Sequence, residues 1–98
     1  MAVHLRNDAG ELALSLSGVV DVTEAGVVHA AAREVVAAAP RAVVVRLQGL
    51  DTLDTSITQL LLALRQSLAA NGIGLRIEGT PPAVAELWRR AGLLDRLG

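Results

Sequence analysis

The chain predicts a mixed α/β fold in which a four-stranded sheet carries helices packed on it. Three observations support this. Leu12, Leu14 and Leu16 alternate with Ala13, Ser15 and Ser17, the period of a half-buried strand. Two apolar stripes at helical spacing follow, one from Val27 to Val36 and one from Ile57 to Leu68. Between them Ala42 to Val45 is a continuous apolar run, as expected of a central strand buried on both sides. The order is β-β-α-β-α-β-α. Strands joined through helices run parallel with right-handed crossovers, and an opening hairpin adds an antiparallel edge.

The elements read as follows. Residues 3–6 are a short strand, Asn7-Asp8-Ala9-Gly10 supplies turn chemistry, and Gly18 ends the second strand. Thr23 is the N-cap of a helix over 23–38, with Glu24 in its first turn, and Pro40 stops it. Leu47 continues the central strand, placing Val44 at the centre of the sheet. Asp51 to Thr55 leads into a helix with the stripe Ile57, Leu60, Leu61, Leu64 and Leu68, closed by Asn71-Gly72. Ile73, Leu75 and Ile77 form a one-faced strand. Thr80-Pro81 then reads as an N-cap with proline at the first helical position. Val84, Leu87, Trp88 and Ala91 define the buried face of that helix, Gly92 ends it, and Leu93, Leu94 and Leu97 make a last apolar turn.

Composition narrows the function. The 98 residues make one domain, residues 1–98, and 52% apolar content excludes a disordered polymer. No apolar run is long enough to span a bilayer and no signal-peptide pattern is present, so a cytoplasmic protein without direct membrane insertion is expected. A net charge of −1 and a single aromatic, Trp88, speak against a nucleic-acid partner. Cysteine and lysine are both absent, and all nine cations are arginine. Thiolate chemistry, Cys-ligated metals, Schiff bases and the phosphate-loop lysine are thereby excluded. His4 and His29 lack metal-ligand spacing. A magnesium pocket of Asp21, Asp51 and Asp54 would want the lysine this chain lacks. No catalytic residue, cofactor or metal is expected, and the reading is of a binding module rather than an enzyme.

The most informative stretch is Leu47 to Ser56, running from the end of the central strand into a helix N-terminus, the edge where open α/β sheets collect ligands. Unpaired backbone N–H groups there favour an anion, such as a phosphate on Thr55 or Ser56. The same residue types also serve as plain N-caps, Asp54 or Thr55.

Leu16-Ser17-Gly18-Val19-Val20-Asp21, Val43-Val44-Val45-Arg46-Leu47-Gln48-Gly49-Leu50, Leu53-Asp54-Thr55-Ser56, and Pro81-Pro82-Ala83-Val84 with Ala91-Gly92-Leu93 occur in that order. Together they resemble the STAS domains, the fold of bacterial anti-sigma-factor antagonists, over roughly residues 10–97. The resemblance implies a STAS-like mixed four-stranded sheet packed with three main helices plus a short C-terminal turn. It also implies a partner-switching role. The unphosphorylated domain binds an anti-sigma factor that is also a serine/threonine kinase, releasing a sigma factor. The kinase phosphorylates the hydroxyl after the motif aspartate, and a cognate phosphatase reverses this. Carried over by position, the acceptor is Thr55 with Ser56 as the second choice, and Asp21, Asp54, Thr55, Ser56 and Ile57 form the partner surface. The sequence leaves the oligomeric state open between a monomer and a weak dimer.

The chain departs from the family pattern in three places. Antagonists usually follow the acceptor pair with Gly-Leu-Gly, where this chain has Ile57-Thr58-Gln59. Arg46 replaces an aspartate, and threonine replaces the commoner serine at the acceptor. Similar Asp-Thr loops occur in STAS domains of the stressosome and in the small STAS subunit of phospholipid-transport ABC complexes. A scaffold or a transporter subunit is therefore the alternative role.

Overall fold

The computed structural model describes residues 2–20 and 25–97. The elements are β1 (Ala2–Asp8), β2 (Glu11–Val20), α1 (Ala25–Ala38), β3 (Ala42–Leu53), α2 (Thr55–Ala70), β4 (Gly74–Glu78), α3 (Pro82–Arg90) and α4 (Leu94–Leu97). The sheet order is β1-β2-β3-β4. β1 pairs antiparallel with β2, and the other two pairings are parallel. The expected mixed sheet with three main helices and a short last turn is what the chain forms.

The hairpin turns on Ala9 and Gly10, both at positive φ, because a two-residue connection that matches strand twist requires this. The proposed N-cap at Thr23 lies outside the described residues, and α1 is described from Ala25.

Two strands run past their expected ends. β2 continues through Gly18, whose φ of +76 is readily adopted only without a Cβ, and β3 continues from Leu47 to Leu53. The register explains both. Ser15 pairs with Arg46 but Ser17 with Gly49, and Gly18 pairs with Leu50 but Val19 with Thr52. Each shift inserts one extra residue into β3, which is the signature of a β-bulge. The bulges change the inward spacing of β3 from two to three, so Leu47, Leu50 and Leu53 are buried while Gln48, Gly49, Asp51 and Thr52 are exposed. A period of three does not read as a strand in the sequence, which is why 50–54 look like a loop.

The helices cover one face of the sheet. Leu12, Leu14, Leu16, Val43, Val45 and Leu47 form a single core with Val28 and Val35 of α1, Ile57, Leu61, Leu64 and Leu68 of α2, and Val84 and Trp88 of α3. Ala13 and Val44 are also buried but stand outside that cluster. They lie in register with Arg76 on the opposite face. The central strand is thus buried on both sides, as expected, but only one side is covered by helices. On the other side an arginine–glutamate lattice covers the strand instead. Arg76 pairs with Glu11 (3.2 Å) and Glu78 (2.9 Å), and Arg46 approaches Glu78 (3.6 Å).

α3 begins one residue later than the sequence suggests. Its N-cap is Pro81 without a side-chain bond, and Pro82 occupies the first helical position. A residue preceding proline is pushed to extended backbone, so Pro81 (ψ 150) cannot be helical and Thr80 does not cap. Its buried ridge is Val84 and Trp88 alone. Leu87 is 37% exposed and Ala91 is exposed, contrary to the predicted face. Leu87 precedes Trp88 by about 100° around the helix, and the indole takes the core contact.

The two faces make a testable distinction. Val45→Asp puts a carboxylate among the core leucines and should cost about 5 kcal/mol or more, enough to unfold the domain. Val44→Asp places the same group beside the Arg76 guanidinium and should leave a folded protein with a lowered melting temperature. Circular dichroism melts of the two variants check this.

The lattice also sets an acid response. The hydrogen bond that Arg76 donates holds the Glu78 carboxyl below its ordinary range, and the hydrogen bonds that Arg76 donates to Glu11 and then to Glu78 raise its own pKa. For a depressed carboxylate the stabilising contribution is present above the ordinary carboxylate range and is lost as pH falls through the lowered pKa. Arg76→Gln should therefore flatten the acid limb of stability against pH, and high salt should do the same to the wild type, both read by denaturant midpoints across that range.

Candidate functional site

The bulged end of β3 delivers the chain to Asp54, the N-cap of α2. Asp54 is extended (φ −76, ψ 153), and its side chain turns back over the helix start. Oδ1 accepts from the Ser56 backbone N–H at 2.8 Å and from the Ser56 hydroxyl at 2.9 Å. The Asp54 carbonyl accepts from the N–H groups of Ile57 and Thr58, both at 3.1 Å. Thr58 Oγ1 donates weakly to the same carbonyl at 3.4 Å. The N-terminal donors that a helix leaves unpaired are thus largely gathered onto one residue.

Thr55, the first residue of α2, is exposed, and among the described residues its hydroxyl has no hydrogen-bond partner. Ser56 is half-buried with its hydroxyl committed to Asp54. Asp54, Thr55 and Ser56 are therefore brought together at the C-terminal edge of the sheet. Asp21, the fourth expected member, lies outside the described residues; β2 is described as far as Val20, which pairs with Leu53 next to the site.

Ile57 does not belong to the surface on which the sequence placed it. It is fully buried in the core, because the helix turns its side chain under the sheet-facing side. Gln59 is exposed in this turn instead. Nearby the exposed apolar side chain is Leu87, across a cleft of about 260 Å³ lined by Asp51, Thr52, Leu53, Ala83, Val84 and Leu87.

One feature escaped sequence reading altogether. Thr58 is the one buried polar side chain among the described residues, and its hydroxyl accepts from the Trp88 indole N–H at 3.1 Å. Trp88 is itself fully buried. A chain of bonds thus runs from α3 through Thr58 to the Asp54 carbonyl. A buried indole N–H needs an acceptor, and the sole aromatic of the chain was the available signal.

Comparisons with known proteins give the family and the fold. The chain belongs to the STAS domain family: the family model described as "Mlab, STAS domain" matches residues 3–97. Among solved structures, an anti-sigma factor antagonist from Mycobacterium paratuberculosis is 25% identical with a TM-score of 0.83, covering 98% of this chain and 81% of that one. Phosphorylated SpoIIAA, a Bacillus cell fate determinant, is 17% identical with a TM-score of 0.79, covering 99% and 89%. A serine-to-glutamate variant of RsbS from Moorella thermoacetica is 17% identical with a TM-score of 0.81, covering 100% and 85%. A search of curated proteins finds no match. No helix among the described residues is long and apolar enough to cross a membrane.

Removing the Thr58 hydroxyl or the Asp54 capping carboxylate should be measurable. Thr58→Val leaves the Trp88 N–H buried without an acceptor and should cost about 1–3 kcal/mol, while Thr58→Ser restores most of it. Asp54→Ala removes the cap and should cost about 0.5–2 kcal/mol. Urea unfolding of the three variants is the measurement; a Thr58→Val variant as stable as wild type would show that the indole bond carries no stability.

Proposed function

We propose that this STAS domain works as an anti-sigma-factor antagonist whose binding is switched by phosphorylation of Thr55. The observation that carries the reading is the contrast between adjacent hydroxyls. Thr55 is exposed at a helix N-terminus and its Oγ1 has no hydrogen-bond partner among the described residues, whereas the Ser56 hydroxyl is tied to Asp54. The likeness to an antagonist at 25% identity over nearly the whole chain supports the same reading.

In this scheme the unphosphorylated domain binds an anti-sigma factor with serine/threonine kinase activity, and a sigma factor is released to act in transcription. The kinase transfers a phosphoryl group from ATP to Thr55 Oγ1, and a cognate phosphatase hydrolyses it. The domain itself binds no nucleotide and catalyses nothing.

The switch rests on two opposed electrostatic effects. A phosphate adds about −1.5 to −2 charge. At the N-terminus of α2 it gains roughly 0.3–1 kcal/mol from the helix dipole, so the fold stands. Against a partner docked over Asp54, and over Asp21 at the neighbouring strand end, the same charge is desolvated beside like charge. That costs on the order of several kcal/mol.

A second reading keeps the fold without the switch. The matching family model carries the name Mlab rather than that of an antagonist, and Ile57-Thr58-Gln59 stands where antagonists carry glycines. A STAS subunit held permanently in a phospholipid-transport ABC complex, or a stressosome-type scaffold, would need no acceptor.

Incubation with the cognate kinase and ATP should add one phosphate, mapped to Thr55 by peptide mass spectrometry and abolished in Thr55→Val. Thr55→Glu should keep the wild-type melting temperature and lose about 100-fold or more in affinity for the kinase, with Thr55→Val close to wild type in titration. Labelling of Ser56 instead would move the acceptor by one residue. Absence of labelling, with tight association to transporter or scaffold proteins, would favour the second reading.

A further inference from the structure

We infer that the partner surface extends beyond Thr55 into the cleft between the β3–α2 junction and α3. There Leu87 receives an apolar side chain of the partner and Asp51 pairs with a basic residue beside it. The inference rests on the proposed antagonist role and names the chemistry of the segment that the domain would hold: a cationic residue next to an aliphatic or aromatic one.

The placement follows from the second bulge of β3 and from Trp88. The bulge beside Gly18 turns Asp51 and Thr52 outward together and leaves Leu53 as the floor of the cleft. Trp88, bonded to Thr58 in the first turn of α2, fixes α3 against that turn, so the cleft wall and the acceptor belong to one rigid surface. Leu87, next to Trp88 in the chain, stands at the mouth. It is one of two large apolar side chains left exposed among the described residues, the other being Val27 on α1 at 51%. An exposed leucine beside a preformed apolar depression leaves apolar surface in water that a partner's apolar side chain would remove from it.

Charge selects the occupant. Asp51 is exposed and makes no ion pair among the described residues. Its neighbour Asp54 is half-buried and engaged in capping. On α3 the carboxylate of Glu86 is already held by Arg89 and Arg90. The open negative charge beside Leu87 is therefore Asp51, which attracts a cation and repels an acidic segment.

The test is calorimetric titration of the purified kinase that phosphorylates Thr55 with wild type, Leu87→Gln, Ala83→Gln, Asp51→Asn and Val27→Gln. All four substitutions change exposed or partly exposed side chains, and melts confirm folding. Leu87→Gln should bind at least tenfold more weakly. Ala83→Gln, which fills the cleft and removes no core atom, should do the same. Asp51→Asn should bind several-fold more weakly with a flatter salt dependence. Val27→Gln should stay within twofold of wild type. Leu87→Gln and Ala83→Gln within twofold of wild type, while Thr55→Glu still weakens binding, would overturn the cleft and leave the antagonist role standing. Failure of any Thr55 kinase to bind wild type would overturn both.

Discussion

The structure depends on what happens at Asp54, where a strand becomes a helix in a single residue. One carboxylate oxygen takes the Ser56 N–H and hydroxyl, and one carbonyl takes two backbone N–H groups and the Thr58 hydroxyl. Without these bonds the first turn of α2 would leave buried donors unpaired near the core. With them, α2 starts at a defined point, Ile57 enters the core, and Thr58 is aimed at Trp88. None of these bonds uses the Thr55 hydroxyl.

Much of the fold was legible because side-chain period and secondary structure agree over β2, α1, α2 and β4. The places that were not legible share a physical cause. Periodicity reports which residues are apolar, not where the backbone gains a residue. In β3 the leucines at 47, 50 and 53 all face inward, yet a spacing of three matches neither strand nor helix alone, and two bulges were needed to make sense of it. The double proline at 81–82 shifted a helix start by the steric rule for pre-proline residues, which overrides the capping pattern of Thr80.

The candidate site divides the same way. Capping chemistry left Asp54 or Thr55 as the cap, and the geometry decides for Asp54 and adds the difference between the Thr55 and Ser56 hydroxyls. Ile57 is buried as its place in the apolar stripe predicts, against its carry-over to the partner surface, and Leu87 is exposed although the stripe predicts burial. Each sits at the border of its helix's apolar stripe, and a stripe does not state which border residue the sheet will cover. Ile57 falls on the sheet side, whereas Leu87 is displaced outward because Trp88 fills the contact. The run of valines reads correctly as buried on both sides, but it does not state that an arginine–glutamate lattice rather than a helix lies on the second side.

The bond between Trp88 and Thr58 has a practical consequence. The protein has no tyrosine or phenylalanine, so its near-ultraviolet absorption and its intrinsic fluorescence arise from one side chain. That chromophore is fully buried and one hydroxyl away from the carbonyl of the residue preceding Thr55. Any rearrangement of the first turn of α2 alters the polarity or the hydrogen bond at a single emitter, with no background from other aromatic residues. The domain thus carries its own optical probe of the acceptor loop, and occupancy of that loop can be followed in real time without a label.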